Sequence, residues 1–346
     1  MSQLELAKGL TTKTQQLCIG LESGVADLFD LVTPTTAELL HWWFGEEACA
    51  TRRLNFHSGQ KQAILNAIVA HEVLNAPDLK NLYQAVAKDA LLAGNRLAEV
   101  SQSKHNHPKY CLKMATGTGK TWVLQALMIW QLLNKNAALA EGVDDARFTR
   151  HFLVVAPGLI VYDRLLDAFC GKQVEGVRDF ASSDIAQYVE LFIPENQRDT
   201  VFAFVRGNVC NKNEIGLKTT GNGMIAIANW HLLQEAGEEE TDETELEMPG
   251  AEIDPQAVIN ALLPLMPGKS AGNSLDVLDR RFARGNVLDY LADLPELMVF
   301  NDEAHHIHDF KSEGETTEVE WQKKPDTNCD KQRPPLCAGR FFCHTL

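Results

Sequence analysis

The chain has 346 residues, of which 45% are apolar and 23% are charged, so it is long enough for one large globular domain or two ordinary ones. Its formal net charge of -15 excludes a protein that coats nucleic acid by positive charge alone. Ten acidic residues and no lysine or arginine lie between Glu235 and Asp254, so the rest of the chain is close to neutral and has room for a local basic groove.

Signals for export and membrane insertion are missing from the sequence. The start of the chain shows no basic segment followed by an apolar one, and no uninterrupted apolar run approaches ~18 residues. The eight cysteines form no CxxC pair, which favours reduced thiols over a disulfide framework. We therefore expect a cytoplasmic protein that does not contact a membrane.

The first elements in chain order are helices. Residues 1–50 predict a helical segment, with a threonine cap in the stretch TPTTAELL and an aromatic cluster at 42–44. No catalytic pattern accompanies the aromatic cluster, so it indicates a packing surface. A second amphipathic helix is predicted from about residue 55, where apolar residues recur at helical spacing.

Four short apolar runs then predict β-strands. They begin near residues 110, 151, 223 and 296, and each is followed by turn or motif residues. Strands of this length separated by helical patterns predict an α/β fold with a mainly parallel sheet and helices on both faces. Ligands of such folds bind beyond the carboxyl ends of the strands, where this sequence places its unusual residues.

The stretch MATGTGKT, residues 114–121, lies between the first predicted strand and a long helical pattern. Glycines in this loop permit a tight turn whose backbone N–H groups wrap a phosphate, Lys120 reaches the β- and γ-phosphates, and Thr121 holds Mg²⁺. The pattern departs from GxxxxGK[ST] at its first position, which is Met114. The residues predicted to bind the nucleotide in this loop are Thr116, Gly117, Thr118, Gly119, Lys120 and Thr121.

The last predicted strand ends in the stretch FNDEAHHIHDF. Its adjacent carboxylates predict two roles: Asp302 points toward Mg²⁺, and Glu303 acts on a water that attacks the γ-phosphate. His305 is predicted to sense the nucleotide and to relay its state. A zinc site built from Asp302 and the histidines at 305, 306 and 308 is the competing interpretation, although no fourth ligand with suitable spacing is evident.

Between the third and fourth strands lies a long insertion over residues 235–290. Its first part is the acidic run, which predicts a solvated loop. Its second part places Arg280, Arg281 and Arg284 on a helical pattern and predicts a helical insertion.

Together, MATGTGKT and DEAHH resemble motifs I and II of superfamily 2 helicases and translocases of the DEAD/DEAH-box type. The stretch FHSGQKQAI resembles the Q-motif region, which implies an adenine contact for Gln60, although His57 stands where an arginine is common. VVAPGLIVYDRLL and IANWHLL resemble motifs Ia and Ib, which touch a nucleic-acid backbone in that family. The positions that this resemblance implies for nucleic-acid contact are Pro157, Gly158, Asn229 and Trp230.

More narrowly, the order of these motifs resembles the restriction (Res) subunit of type III restriction enzymes over about residues 50–322. The resemblance implies a RecA-like P-loop NTPase domain at 51–322 that uses ATP and Mg²⁺ to drive movement on double-stranded DNA. It also implies coupling to a nuclease and to a modification (methyltransferase) subunit.

Other family features are missing from the sequence. Only 37 residues follow Asp309, and they contain no stretch resembling motif III, no second α/β half and no nuclease pattern. Residues 323–346 change composition abruptly and predict an irregular tail, which fits a truncated or frame-shifted reading; a natural disordered tail is the alternative. A motor that lacks its second RecA-like domain should hydrolyse ATP poorly, because that domain contributes part of the transition-state stabilisation.

Two further interpretations stay open at this point. The chain could be a regulatory or partner subunit that keeps the nucleotide pocket without motor activity, with the missing half supplied by another chain. An unrelated P-loop ATPase is the third option, which the motif Ia and Ib stretches disfavour.

Overall fold

The computed structural model describes most of the first 229 residues and a few segments beyond them. The described ranges are 3–102, 105–115, 117–156, 158–211, 214–215, 223–229, 290–291 and 293–301, together with three short strands at 310–312, 315–317 and 340–343. The predicted insertion over 235–290 lies outside these ranges except for its last residue.

Helices make up most of the first hundred residues. They are α1 (Gln3–Leu17), α2 (Pro34–Phe44), α3 (Glu46–Thr51), α4 (Ser58–Ile68), α5 (Leu79–Val86), α6 (Lys88–Leu92) and α7 (Arg96–Val100). The sequence predicts those up to α4 but not the three that follow it. The predicted threonine cap is Thr33, whose hydroxyl accepts the Thr36 backbone N–H at 3.1 Å. A π turn at Val69–Val73 prolongs α4.

Five further α-helices accompany the strands in the rest of the described chain. These helices are α8 (Lys120–Ala140), α9 (Leu159–Cys170), α10 (Asp184–Gln187), α11 (Val189–Phe192) and α12 (Arg198–Asn208). None of the described helices combines the length and the apolar character that a membrane span requires.

A six-stranded parallel sheet lies at the centre of the fold. The described strands are β1 (Lys109–Cys111), β2 (His151–Ala156), β3 (Gln173–Val174), β4 (Val177–Arg178), β5 (Val209–Cys210), β6 (Met224–Asn229), β7 (Met298–Asn301), β8 (Phe310–Ser312), β9 (Glu315–Thr317) and β10 (Arg340–Cys343). The order in the sheet is β1-β10-β7-β2-β6-β5, and every neighbouring pair is parallel. The four strands predicted from the sequence are β1, β2, β6 and β7, which confirms the α/β class expected of a RecA-like domain.

The two faces of the sheet carry separate apolar clusters. Phe152 and Val154 of β2 share a buried cluster with α8, α9 and α12, whereas Leu153 and Val155 pack on the other side with Leu291. This alternation is the two-residue period of a strand that is buried on both faces. The alternation therefore shows which residues of β2 face α8 and which face the opposite side of the sheet.

The helices of residues 1–50 join the core of the α/β fold. Leu39, Leu40 and Trp43 of α2 are at most 1% exposed and belong to the same cluster as α8. The indole N–H of Trp43 also donates to the carbonyl oxygen of Phe192 at 2.9 Å. The N-terminal helical segment and the parallel sheet therefore share one hydrophobic core.

A buried polar cluster connects α2 and the π turn to α8. The Glu72 carboxylate accepts the Thr33 backbone N–H at 2.6 Å, the Thr36 hydroxyl at 2.8 Å and the Trp130 indole N–H at 3.2 Å. The Asn134 amide donates to the Thr36 hydroxyl oxygen at 3.0 Å. Burial raises the pKa of Glu72, although these hydrogen bonds oppose the shift.

The structure forms a strand where the sequence predicts an irregular tail. Residues 340–343 are β10, which pairs with β1 on one side and β7 on the other. Phe341 and Phe342 are residue types that strands favour, and a central position supplies hydrogen-bonding partners for both edges of the strand. The rest of the predicted tail, 323–346, lies outside the described residues.

Candidate nucleotide-binding site

The loop between β1 and α8 has the backbone conformation that its glycines permit. Gly117 and Gly119 have φ values of +78° and +70°, in the left-handed region that other residues rarely adopt. A Cβ built on Gly117 would have no atom within 4 Å, whereas one on Gly119 would lie 2.4 Å from the amide nitrogen of Gln60. Position 119 is therefore restricted by both its backbone conformation and its surroundings.

This loop leads directly into the first turn of a long helix. Lys120 is the first of the 21 residues of α8, and no side chain caps the helix at Gly119. Uncapped N–H groups and the positive end of the helix dipole attract an anion such as a phosphate. Lys120 is only 9% exposed, so its ammonium group adds positive charge where little water screens it.

Residues at the start of α4 form hydrogen bonds with the backbone of this loop. The Gln60 amide donates to the Gly119 carbonyl oxygen at 3.2 Å, and its own carbonyl oxygen accepts the His57 backbone N–H at 3.1 Å. The His57 ring lies 3.0 Å from the Thr118 carbonyl oxygen through Nε2. His57 and Gln60 thus fix two consecutive carbonyl groups of the phosphate loop.

The hydrogen bonds of His57 determine which ring nitrogen carries its proton. Nδ1 accepts the N–H groups of Gly59 and Gln60 at 3.0 and 3.3 Å, so it has no proton. Nε2 must then carry the proton and donate to Thr118. The same imidazole therefore caps α4 and holds the loop.

An aromatic pair flanks the loop on the same side. The rings of Trp122, two residues after Lys120, and Tyr188 have centroids 4.8 Å apart, and both side chains are half-buried. Trp122 also lies edge-on to Phe192 with centroids 6.0 Å apart. Burial raises the pKa of Asp184, and the nearby Trp122 indole opposes this rise to a smaller extent.

The strand that precedes the predicted carboxylates runs parallel to β1, two positions away in the sheet. Cys111 at the end of β1 is in register with Cys343, which is in register with Asn301 at the end of β7. Two interstrand spacings separate β1 from β7 by roughly 10 Å. Asp302 and Glu303 come directly after Asn301 in sequence and His305 two positions later, but all three lie outside the described residues.

Asn301 has an unusual environment for an amide. It is 3% exposed, and neither its side-chain oxygen nor its nitrogen has a hydrogen-bond partner among the described residues. Buried polar groups normally have partners, so this strand end fits a polar site that other groups complete.

The residues predicted to touch nucleic acid lie at the same edge of the sheet where they are described. Gly158 immediately precedes α9, which follows β2, and Asn229 is the last residue of β6. Asn229 is in register with Ala156 at the end of β2. Leu159 and Ile160 beside Gly158 are 54% and 73% exposed. Pro157 and Trp230 lie outside the described residues, as does Thr116 of the phosphate loop.

Chemically, the described residues fit a bound nucleoside triphosphate. Two left-handed glycines, an uncapped helix start and a buried lysine form a cradle for phosphate, and Thr121 adds a hydroxyl of the kind that holds Mg²⁺. No group of three or more His, Cys, Asp or Glu residues within the described ranges could hold a metal ion. The histidines of the alternative zinc site lie outside those ranges.

Sequence reasoning missed four contacts of this site. It did not assign His57 to the phosphate loop, and it did not single out Trp122, Asp184 or Tyr188. The position of Trp122 directly after the GKT triplet is a signal that could have been used. Asp184 and Tyr188 carry no local signal, because only the packing of α10 and α11 brings them to the loop.

Comparison with protein families agrees with the architecture and the motifs. A family model described as type III restriction enzyme, res subunit, matches residues 53–324, which is more than three quarters of the chain. The match includes Gln60, the phosphate loop and the end of β7. Comparisons with curated proteins and with solved structures found no match.

Proposed function

The chain belongs to the family of type III restriction enzyme res subunits, and from this premise we propose that it is a motor domain that couples ATP hydrolysis to movement on double-stranded DNA. Domains of this family are helicase-like and generally use ATP with Mg²⁺. The observation that carries the proposal is the phosphate cradle at the start of α8, two strands away from the strand that precedes Asp302 and Glu303.

Each residue of the cradle has a distinct task in this proposal. Lys120 would contact the β- and γ-phosphates, and Thr121 and Asp302 would hold Mg²⁺, whose charge would offset the negative charge that develops on ADP as the γ-phosphoryl group passes to water. Glu303 orients the attacking water and accepts its proton. Met298 and Phe300 of β7 share an apolar cluster with residues of α8, so the described end of this strand packs on the helix that begins with Lys120.

Contact with DNA is proposed for the carboxyl edge of β2 and β6. Gly158 and Asn229 belong to this edge, and Pro157 and Trp230 adjoin them in sequence. Backbone N–H groups at the start of α9 suit a DNA phosphate. His305 is proposed to pass the state of the nucleotide to this edge, and a modification subunit and a second RecA-like domain are the proposed protein partners.

ATP turnover with and without duplex DNA tests this function. We expect the chain without its second RecA-like domain to turn ATP over slowly, with a small rise on duplex DNA, because part of the transition-state stabilisation comes from that domain. Glu303→Gln should lower the turnover rate by about 10²- to 10⁴-fold while ATP still binds, because only the proton acceptor is lost. ATP binding without any effect of DNA on turnover would identify a nucleotide-binding partner subunit instead. Unchanged turnover in Glu303→Gln would contradict the catalytic assignment.

A further inference from the structure

The surroundings of Gln60 are unexpected for a residue that reads a base. Its amide nitrogen donates to the Gly119 carbonyl oxygen, its carbonyl oxygen accepts from His57, and the side chain is 3% exposed. One N–H and one oxygen lone pair of the amide are therefore engaged with the protein backbone. Because the side chain is almost fully buried, little of the remaining N–H and lone pair is accessible to a base, which directs attention to other groups beside the loop.

Trp122 is the aromatic side chain closest in sequence to the phosphate cradle. A Cβ on Gly119 would lie 4.0 Å from Cγ of Trp122, so the indole begins within van der Waals distance of the last loop glycine. The ring is half-buried, unlike the fully buried Trp43 and Trp130 of the core. Part of an aromatic surface is thus accessible next to the place where the triphosphate chain would end.

The orientation of Trp122 is fixed by two aromatic neighbours. Tyr188 packs against the ring with centroids 4.8 Å apart, and Phe192 meets it edge-on at 6.0 Å. A ring held in this way loses little further conformational freedom when a flat ligand stacks on it. Every nucleic-acid base has such a flat π surface, and stacking on aromatic side chains is tolerant of base identity.

We propose that Trp122, supported by Tyr188, is the platform on which the base of a bound nucleoside triphosphate stacks. This inference rests on the proposed function, because it concerns the nucleotide of the same site. The proposed function directs the γ-phosphate toward Lys120 and the end of β7, so the nucleoside would extend from the cradle beside the first turn of α8, where Trp122 lies. Gln60 acts as a positioning residue that holds the loop.

Recognition by stacking predicts a specific pattern of ligands. ATP and GTP should bind with affinities within about threefold of each other, because purines stack alike and Gln60 does not read their edges. Inorganic tripolyphosphate, which has no base, should bind more weakly than ATP. A site that reads adenine through hydrogen bonds would instead reject GTP strongly.

Calorimetric titration of the full chain with the Mg²⁺ complexes of ATP and tripolyphosphate tests the proposal. Trp122→Leu should weaken ATP binding about tenfold and leave tripolyphosphate binding unchanged, since only stacking is lost. Phe202→Leu is the matched control: it removes a half-buried aromatic ring in α12 that packs edge-on to Phe180 and not to Trp122, so it should leave the ratio of the two affinities unchanged. The proposal would be overturned if Trp122→Leu lost affinity for both ligands equally, or if it lost affinity for neither.

A fluorescence measurement decides the question if Trp122→Leu does not fold. Wild-type protein should show a change in tryptophan emission with ATP that tripolyphosphate does not produce. Trp122→Phe retains an aromatic ring, so it should still bind ATP but lose this change; persistence of the change would overturn the proposal. If the wild-type protein bound neither ATP nor tripolyphosphate, the nucleotide site itself would be refuted. If it bound ATP but the Trp122 variants changed neither affinity nor emission, only the stacking role of Trp122 would be refuted.

Discussion

Gly117 and Gly119 share a left-handed backbone but differ in the space around them. Any side chain at either position adopts a conformation that costs about 1–2 kcal/mol. At Gly119 a methyl group would also displace the amide of Gln60, which it would approach to 2.4 Å. Gly119 therefore couples the phosphate loop to the start of α4, whereas Gly117 serves the loop alone.

This difference predicts unequal effects of two alanine substitutions. Gly119→Ala should weaken ATP binding and lower the free energy of unfolding by more than Gly117→Ala does, because it breaks the Gln60 contact in addition to straining the backbone. Titration with ATP and urea unfolding of both variants measure the two effects. Equal losses in the two variants would show that Gln60 does not hold the loop.

At the level of single residues, the sequence predicts those whose chemistry is local. The loop glycines, Lys120 and Thr121 follow from one eight-residue pattern, and the structure places them at the start of α8. The His57 contact to Thr118 joins residues 61 positions apart, and no pattern encodes it. The resemblance implied adenine contact for Gln60, while the structure shows its amide bonded to the loop backbone.

At the scale of the elements, the π turn after α4 places the carboxylate of Glu72 in the buried core. Glu72 is 2% exposed, and it accepts the backbone N–H of Thr33 at the start of α2. A carboxylate at a helix start is favourable, but loss of water around the charge is the larger effect on its pKa. The folded protein therefore holds the Glu72 proton more tightly than the unfolded chain does.

This raised pKa predicts a pH dependence of stability. Between the ordinary value of 4.5 and the raised value, the folded state binds more protons than the unfolded state, so the contribution of Glu72 to stability falls as pH rises. Glu72→Gln should remove this dependence, while its amide can still accept from Thr33 and donate to Thr36. In urea unfolding from pH 4.5 to 8, the free energy of unfolding of the variant should increase relative to that of the wild type as pH rises. A difference in free energy that stays constant with pH would contradict the assignment.

The elements that the sequence predicts well are those with a strong local pattern. The strands β1, β2, β6 and β7 are apolar runs followed by turn residues, and all four lie in the central sheet. The strand β10 was not predicted, because its four residues stand in a segment rich in proline and cysteine. Its place between β1 and β7 depends on pairing with strands that are distant in sequence. Two adjacent apolar residues are too short a pattern to predict such pairing.

On the scale of the whole molecule, one core unites the N-terminal helices with the sheet. Trp43 of α2 is fully buried and donates to Phe192, which in turn contacts the Trp122 beside the phosphate loop. The buried Arg52 also donates to the Leu191 carbonyl oxygen at 3.3 Å. Residues 1–52 therefore pack against α11, which in turn contacts the aromatic side chain beside the phosphate loop.

A shared core predicts unfolding in one transition. Trp43→Ala should lower the free energy of unfolding by ~3–5 kcal/mol, and Leu31→Ala, at a side chain that is 48% exposed, by less than ~0.5 kcal/mol. Tryptophan fluorescence and far-ultraviolet circular dichroism should report the same midpoint in urea. Two separate transitions, with Trp43→Ala affecting only one, would show that the N-terminal helices fold as an independent unit.

The measurement that tests the whole account most directly is equilibrium binding of ATP, with Mg²⁺ present, to the wild type, Lys120→Ala and Lys113→Ala. Lys113 lies on the exposed surface just before the loop, so it matches the change in charge without touching the cradle. We predict that Lys120→Ala weakens binding by about tenfold or more, because a charge-assisted contact to phosphate is lost, and that Lys113→Ala binds as the wild type does. Equal affinity in all three proteins would contradict the nucleotide site on which the proposed motor depends.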